Sequence, residues 1–313
     1  MTAEILIKYL RDGLTEKEHY GYIIVSNKKH IIDTHGDSKD IPFYLRSCAK
    51  PLQASLLIDF KIDKYFDLTE EEIAMCCASH TGEEIHVKTA KKFLKKIGLD
   101  ERYLKCGFHK PIAQKVQEEL ILKGQNETIF HNNCVGKHIM MLAICKVKNW
   151  RLQTYDSFNH PLQQAIKEKV NELCEVKQEY PVTKDGCGVP IMSMPLKNML
   201  KGYLNLFFES KYEKIKNAFL NQPYIIGGEN RLDTKIIEKS NNLIAKVGAG
   251  GLCIVVNLGN EEALAVKISD CDMKAREIVT LDALKKLHWA NIEVSHDIRT
   301  LHNETVGKIV TML

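Results

Sequence analysis

Strand-like segments are concentrated at the two ends of this chain. The first 35 residues contain three β-rich runs, separated by charged or Gly/Asn/Asp turns: EILIKYLRDG, HYGYIIVSN and KHIIDTHGD. After residue 242 the same kind of pattern returns in NLIAKVG, LCIVVNLG and EALAVKIS. Runs of this composition, bounded by turn residues, are typical of strands. We therefore expect the two ends to build one antiparallel sheet, with the first three runs forming a meander.

Helical patterns dominate the region between these two sets of strands. Apolar residues recur there at helical spacing, and the connections are short and carry Gly, Pro or Asn. The candidate helices are residues 48–59, 69–78, 84–97, 112–123, 136–147, 162–174, 211–220 and 232–239, with a closing helix at 272–287. We predict an α+β fold in a single domain, residues 1–313. Residues 1–46 and 242–313 form its sheet, and residues 47–241 form a mostly helical part.

Charge and cysteine usage restrict the class of protein. The 44 Lys and Arg residues against 40 Asp and Glu give a net charge of +4, spread along 313 residues. The densest basic run, KTAKKFLKK at 88–96, carries apolar residues at helical spacing, which is typical of a solvated helix face. Ten cysteines, without a signal peptide or an apolar run near 18 residues, predict a cytoplasmic protein with free thiols. We expect neither a nucleic-acid nor a membrane partner.

The stretch RSCAKPLQ at 46–53 places a serine and a lysine three residues apart. Pro51 is tolerated in the first turn of a helix, so Ser47 is expected at the helix start. There the Lys50 amine can reach the Ser47 hydroxyl, and the free N–H groups can stabilise an oxyanion. Lys50 can act as a base only if its pKa is lowered, for which Arg46 is a neighbouring cation. This spacing is common by chance, so it is a weak signal alone.

Two further segments carry groups that can hold or move protons. CCASHTGEE at 76–84 ends an apolar helix pattern with Ser79, a histidine and Glu83. AKVGAGGLCIVV at 245–256 is a strand, a glycine-rich turn and another strand, which allows close backbone approach to a ligand. Lys246-Val247-Gly248 resembles the K-T-G strand that borders the site of S-x-x-K serine hydrolases, although the accompanying S-D-N element is not apparent.

A third group combines cysteines with a lysine. HNNCVGKHIMML at 131–142 places Cys134, Lys137 and His138 at the start of an apolar helix, and KDGCGVPIM at 184–192 places Cys187 between two glycines. Cys-x-x-Lys with a distant Cys is not a standard zinc spacing. A metal site, a free active-site thiol, and simple core or turn cysteines all stay open on this pattern.

Six motifs, taken together and in order, resemble one family. RSCAKPLQ, SHTGE, NNCVGKH, HPLQ, DGCGVP and KVGAGG are spread over most of the chain and look like the asparaginase II family, whose characterised members are class 3 L-asparaginases. This resemblance implies the fold shared by serine β-lactamases and glutaminases. It also implies hydrolysis of L-asparagine to L-aspartate and ammonia, with L-asparagine as the small-molecule partner, and a homodimer.

The resemblance also assigns roles to particular residues. Two Ser-Lys tandems would be Ser47 with Lys50 and Ser79 with Lys267, the latter chosen for its apolar flanks in EALAVKISD. Zinc beside the active site would be held by Cys134, Lys137 and Cys187. The similar strand of serine glutaminases nominates the Ala249 amide for the oxyanion hole. The candidates for binding the amino-acid head group are Arg46, Glu83, His138 and Asp185.

The sequence departs from the family pattern at Cys48, Val135 and Gly250, where a small residue, a serine and a glutamate are common. The change at Gly250 bears on recognition of the substrate's ammonium group. A glutaminase or a β-lactam hydrolase on the same fold is an alternative function, and a non-catalytic zinc-binding protein is a second one.

Overall fold

The computed structural model describes residues 2–38 and 40–313. Eleven strands occur in this part of the chain: β1 (Glu4–Arg11), β2 (Leu14–Asn27), β3 (Ile31–His35), β4 (Pro42–Tyr44), β5 (Val182–Lys184), β6 (Pro190–Pro195), β7 (Leu243–Gly248), β8 (Leu252–Asn257), β9 (Glu262–Ile268), β10 (Asp297–Arg299) and β11 (Thr305–Thr311).

Twelve α-helices accompany these strands in the described residues. They are α1 (Lys50–Asp59), α2 (Ile62–Tyr65), α3 (Glu70–Cys77), α4 (Glu84–Lys96), α5 (Gln114–Leu122), α6 (Val135–Val147), α7 (Pro161–Leu173), α8 (Leu196–Phe208), α9 (Glu213–Asn221), α10 (Pro223–Ile226), α11 (Leu232–Glu238) and α12 (Met273–Lys286). Five short 3₁₀ segments lie between them, at Arg46–Ala49, Glu101–Tyr103, Ile129–His131, Leu152–Thr154 and Ser210–Tyr212.

The large sheet is built from both ends of the chain, as predicted. Its strand order is β10-β11-β1-β2-β9-β8-β7, and β3 pairs with the second half of β2. All of these pairs are antiparallel. The predicted α+β class is therefore confirmed, with the N-terminal meander joined to the C-terminal strands through β2 and β9. A smaller sheet joins β4, which precedes residue 47 and is not part of the large sheet, to β6 and β5 of the mostly helical part.

All nine predicted helices are present, with ends within two residues of the predicted ones. The sequence interpretation missed α8, whose chain contains Gly202, a poor helix former. A Cβ at Gly202 would lie 2.4 Å from the Cys174 Sγ atom, so tertiary packing requires the glycine there. It also missed the four-residue helices α2 and α10, the strands β4, β5 and β6 of the small sheet, and β10 and β11. Strand β11 buries only Ile309 and lacks a clear alternation.

Strand β7 forms one edge of the large sheet and is fully buried. Its last residue, Gly248, lies against the 3₁₀ turn that precedes α1, since a Cβ there would be 3.1 Å from both the Cys48 Sγ atom and the Leu45 carbonyl oxygen. An uncovered edge strand would expose unpaired backbone groups. Here the covering turn is the one that carries Ser47.

Helix α6 crosses α3 at very close range. The hypothetical Cβ of Gly136 would lie 2.0 Å from the Met75 carbonyl oxygen, which leaves no room for any other residue. Gly136 follows Cys134 by two positions, and Met75 precedes Ser79 by four. The helix crossing therefore brings the cysteine motif next to the second serine. The described chain has no helix with the length and apolar character needed to span a membrane.

Candidate active site

The first serine lies on a strained turn at the start of a helix. Arg46 has a φ of +48°, a left-handed conformation that is uncommon for a non-glycine residue and often found at functional sites. Ser47 follows in the 3₁₀ turn, and α1 begins at Lys50 with Pro51 in its first turn, as the sequence predicts. Ser47 is 9% exposed, whereas Ser79 is 1% exposed. Ser47 is thus the more accessible of the two hydroxyls.

Lys50 is almost fully buried and joins three segments. Its Nζ atom contacts the Ala78 carbonyl oxygen, the Ser79 Oγ atom at 3.0 Å and the Asn133 carbonyl oxygen at 3.2 Å. Within the described residues, Lys50 has no hydrogen bond to Ser47. Burial lowers the pKa of Lys50, and the nearby charges of Lys137 and Lys246 lower it further.

The partners of Lys50 determine what its amine can do when it is neutral. A neutral amine has two hydrogens and one lone pair. The two carbonyl oxygens can only accept hydrogen bonds, so they bind the two N–H groups. The lone pair is then left to face the Ser79 hydroxyl. The geometry therefore makes Lys50 a proton acceptor for a serine hydroxyl, and Ser79 is the one it contacts.

Lys267, which the sequence interpretation paired with Ser79, lies elsewhere. Its Nζ atom donates to the Ile268 carbonyl oxygen at 2.6 Å and lies 5.6 Å from the centre of the Phe43 ring. Strand β9 is separated from the edge strand β7 by β8, which corresponds to about 10 Å at ordinary strand spacing. Among the described residues, no hydrogen bond joins Lys267 to Ser79.

Lys246 is the second lysine near the serines. It is fully buried on β7 and binds the Asp233 Oδ2 atom at 3.0 Å. Lys246 and Gly248 are two residues apart on one strand, so they share the face that packs on the Ser47 turn. The charge of Lys246 also acts on the Lys50 amine and on the Cys77 thiol, which ends α3 just before Ser79. The K-x-G pattern noted in the sequence was the signal for it.

The cysteine motifs converge as a cluster. The Lys137 Nζ atom lies 3.0 Å from the Cys187 Sγ atom, and Cys187 also shares a hydrogen bond with the Cys134 thiol. This bond and the Lys137 charge lower the pKa of Cys187 to about 5, although burial alone would raise it. The same bond raises the pKa of Cys134 to about 12. Gly188, with φ of +88°, turns the chain between β5 and β6 so that Cys187 faces α6.

The donor atoms of this cluster can be compared with the ligands that zinc requires. Two thiols and one amine meet at a buried point, which supplies three of the four ligands of tetrahedral zinc. The cluster contains only two Cys residues, and no group of three or more His, Cys, Asp and Glu side chains suited to a metal occurs in residues 2–38 and 40–313. Lys137 would be the third ligand and would have to bind as the neutral amine.

Asp185 connects the cysteine cluster to the Ser47 turn. Its Oδ1 atom accepts a hydrogen bond from the Arg46 Nε atom at 2.7 Å, and its Oδ2 atom lies 3.9 Å from the Lys137 Nζ atom. Although burial alone would raise it, these two cations lower the pKa of Asp185. The structure thus brings the head-group candidates Arg46 and Asp185 together beside Ser47.

The other two head-group candidates are engaged with the protein. The His138 Nδ1 atom shares a 2.7 Å hydrogen bond with the Tyr155 hydroxyl, and burial lowers the pKa of His138 to about 3. Tyr155 is in turn held by Gln163 of the HPLQ motif. Glu83 accepts hydrogen bonds from Thr81, the Tyr224 hydroxyl and the Glu229 amide. These contacts give both residues structural partners within the described chain.

The turn between β7 and β8 contains Ala249, which is exposed next to the Ser47 turn.

The three residues that depart from the family pattern, Cys48, Val135 and Gly250, have different surroundings in the structure. The Cys48 thiol donates to the Lys246 carbonyl oxygen at 3.2 Å and so fills the contact between β7 and the Ser47 turn. Val135 is buried in the first turn of α6. Gly250 has φ of +77°, and a Cβ there would meet only the Cys271 Sγ atom, at 3.9 Å.

Comparison with known proteins identifies the family. The family model described as L-asparaginase II matches residues 7–310. The chain belongs to the L-asparaginase II family. Membership supports an amidohydrolase of the asparaginase type. A comparison with curated proteins gave no match.

Two solved structures are among those to which the chain is similar. A β-lactamase from Mycobacterium bovis is 12% identical, with 85% of this chain and 94% of that chain covered and a TM-score of 0.43. A β-lactamase/D-alanine carboxypeptidase from Pseudomonas syringae is 11% identical, with 85% and 93% covered and a TM-score of 0.46.

The buried Asp233–Lys246 pair gives a stability prediction. Replacing Asp233 by Ala leaves the Lys246 ammonium without its carboxylate at a fully buried position, which should reduce the free energy of unfolding by about 3–5 kcal/mol. Asp297→Ala is the control, because Asp297 pairs with Arg299 at the surface and its loss should change this free energy by less than about 0.5 kcal/mol. Urea unfolding of both variants measures the difference, and equal losses would contradict the role given to the buried pair.

Proposed function

We propose that this member of the L-asparaginase II family hydrolyses L-asparagine to L-aspartate and ammonia through a serine nucleophile. One observation carries the proposal. A buried lysine, Lys50, has a lowered pKa and hydrogen-bonds a serine hydroxyl, while a more accessible serine lies one turn before it at a helix start. Family membership supports the amide substrate class.

In the first half of the reaction, Ser47 attacks the side-chain amide carbon of asparagine. Lys50, as the neutral amine, accepts the Ser47 proton after its lone pair turns from the Ser79 hydroxyl to the Ser47 hydroxyl, one turn before it. The backbone N–H groups of Ser47 and Ala249 stabilise the oxyanion. The carbon–nitrogen bond then breaks, and the nitrogen leaves as ammonia after it receives a proton through the Ser79 hydroxyl, which is bonded to Lys50. An ester between Ser47 and the aspartyl side chain results.

In the second half, water attacks this ester and releases aspartate. Lys50 removes a proton from the water, and the Ser47 oxygen recovers a proton as the ester bond breaks. We assign the second Ser-Lys tandem to Ser79 with Lys246 in place of Lys267. Lys246 supports this assignment because it is buried beside Lys50, on the strand face that packs against the Ser47 turn.

Arg46 and Asp185 are the residues we propose for the amino-acid head group. An amino acid carries a carboxylate and an ammonium close together, so a binding site needs one group of each charge. Arg46 and Asp185 supply this pair next to Ser47, and the Arg46 side chain is 35% exposed. This arrangement would also substitute for the glutamate that family members commonly have at the position of Gly250.

We also propose a zinc ion at the cysteine cluster, held by Cys134, Lys137 and Cys187. When bound, zinc would fix the cluster and supply a positive charge near Asp185. The residues of the chain do the chemistry in this proposal: Asp185 orients the head group, and Lys50 moves the proton. The cluster geometry supports the ligand set, because the three side chains already meet.

The substrate and the nucleophile are tested together. Purified protein should release ammonia from L-asparagine faster than from L-glutamine and should not open a β-lactam ring. Ser47→Ala should lower kcat by about 10⁴-fold or more, because the nucleophile is lost. Ser79→Ala should lower it about 10²-fold to 10⁴-fold, because only proton transfer is affected.

A coupled ammonia assay measures these rates, with Ser295→Ala, a variant at a surface loop, as the control. Faster release from glutamine or cleavage of a β-lactam would replace the substrate assignment. No activity on any of the three would favour a non-catalytic zinc-binding protein. Full activity in Ser47→Ala would refute the nucleophile assignment.

The lowered pKa of Lys50 predicts the pH dependence. Its neutral form is the base, so kcat/KM should rise with pH through the lowered pKa of Lys50 and level off below pH 10.5, the ordinary lysine value. Lys50→Arg should be inactive across the range, because an arginine does not deprotonate. The control Lys88→Arg changes an exposed lysine whose one ion pair among the described residues is with Glu84, and it should keep the wild-type profile. An active Lys50→Arg enzyme would exclude Lys50 as the base.

Metal content tests the zinc proposal independently of turnover. Purified protein should contain about one zinc per chain, and Cys187→Ser should lose most of it, because one thiolate ligand is removed. Cys271→Ser is the matched control, since Cys271 is exposed and lies outside the cluster. Elemental analysis of the dialysed proteins measures the content. Wild-type protein without zinc, or equal zinc in Cys187→Ser, would rule out the site.

A further inference from the structure

One segment of the chain touches both members of the second Ser-Lys tandem. We call residues 223–234 the clamp segment; it contains α10, a glycine loop and the start of α11. The Ser79 amide donates to the Ile226 carbonyl oxygen at 2.8 Å. At the other end of the segment, Asp233 binds Lys246 at 3.0 Å. The position of Ser79 relative to Lys246 therefore depends on how this segment is held.

Glu83 holds the clamp segment against the loop of Ser79. Its Oε1 atom accepts from the Tyr224 hydroxyl at 2.6 Å, and its Oε2 atom accepts from the Glu229 amide at 3.1 Å and from the Thr81 hydroxyl. These three donors lower the pKa of Glu83 although burial opposes them. An ionised carboxylate that already binds three donors from two loops has little capacity left for a substrate ammonium group.

The clamp segment and the loop that carries Ser79 also pack so closely that neither can move independently of the other. The His86 Nε2 atom donates to the Tyr224 carbonyl oxygen at 3.0 Å, and the His86 ring stacks on the ring of His80, the residue after Ser79, at 4.8 Å between centroids. A Cβ at Gly228 would lie 2.0 Å from the Thr81 Oγ1 atom. Glu83 is therefore the charged centre of an extensive contact.

We propose that Glu83 is a positioning residue that places Ser79 for proton transfer through the clamp segment, and that it does not bind the substrate. This inference rests on the proposed asparaginase function for its kinetic test. A residue that binds the ammonium group acts mainly on KM, whereas a residue that positions the proton carrier acts on kcat.

The test compares Glu83→Gln and Tyr224→Phe with the double variant. Each single change breaks the same contact from opposite sides, so each should lower kcat for asparagine about tenfold and change KM by less than about twofold. The double variant should be no slower than the slower single variant, because the contact can be lost only once. Glu84→Gln is the matched control: Glu84 is the next residue, is exposed, and forms an ion pair with Lys88 alone in the part of the chain that the structure describes.

Two results would overturn the proposal. A tenfold rise in KM for Glu83→Gln with unchanged kcat would make Glu83 a substrate ligand. Fully multiplicative effects on kcat in the double variant would show that Glu83 and Tyr224 act separately.

If the wild-type protein does not hydrolyse asparagine, the proposed function fails, and the clamp is then tested by unfolding. Non-additive changes in the free energy of unfolding of the same variants then support the clamp, and additive changes refute it.

Discussion

The burial of the Lys50 amine is the interaction on which the rest of the site depends. An amine removed from water is costly unless its hydrogen bonds are replaced. Here the replacements come from the end of α3, through Ala78 and Ser79, and from Asn133 just before α6. Since Lys50 also follows Ser47 by one turn on the chain, its side chain links the turn of the first serine to the second serine and the cysteine motif. The fold must keep these three segments in contact, and Gly136 permits the close crossing of α3 and α6 that does so.

The site is also connected by charge. Asp185 accepts a hydrogen bond from Arg46 on the side of the Ser47 turn and faces Lys137 on the side of the cysteines. A change in the charge at the cysteine cluster therefore acts on Arg46 through one carboxylate at short distance, and the side chain of that carboxylate is only 7% exposed. This gives a physical reason for the proposed zinc ion beside the proposed nucleophile: a charge at the cysteine cluster would act on Asp185 and Arg46, the residues proposed to orient the substrate.

Much of the fold was predictable because it follows from local patterns. The strands at both ends and nine helices have clear periodicity or boundary residues, such as Pro51 at the start of α1 and the Thr69 capping box of α3. The missed elements depend on tertiary contacts. Helix α8 has a glycine that only its packing on Cys174 explains, and β11 is an exposed strand that is stabilised by pairing with β1. Neither contact has a signature in its own segment of sequence.

The contacts within the site were predicted less well than the fold, because they too depend on tertiary structure. Spacing alone suggested that Lys50 would contact Ser47, three residues away, whereas its hydrogen bond is to Ser79, twenty-nine residues away. Lys246 and Lys267 are both lysines on apolar strands, and apolar flanks do not distinguish them. The distinguishing feature is the glycine two residues after Lys246. Gly248 has no side chain, so β7 can approach the backbone of the Ser47 turn closely at this residue. Residues two apart on a strand share a face, so Lys246 lies on the face that makes this contact. A lysine followed at i+2 by a glycine therefore indicates a site-facing strand more strongly than hydrophobic flanks do.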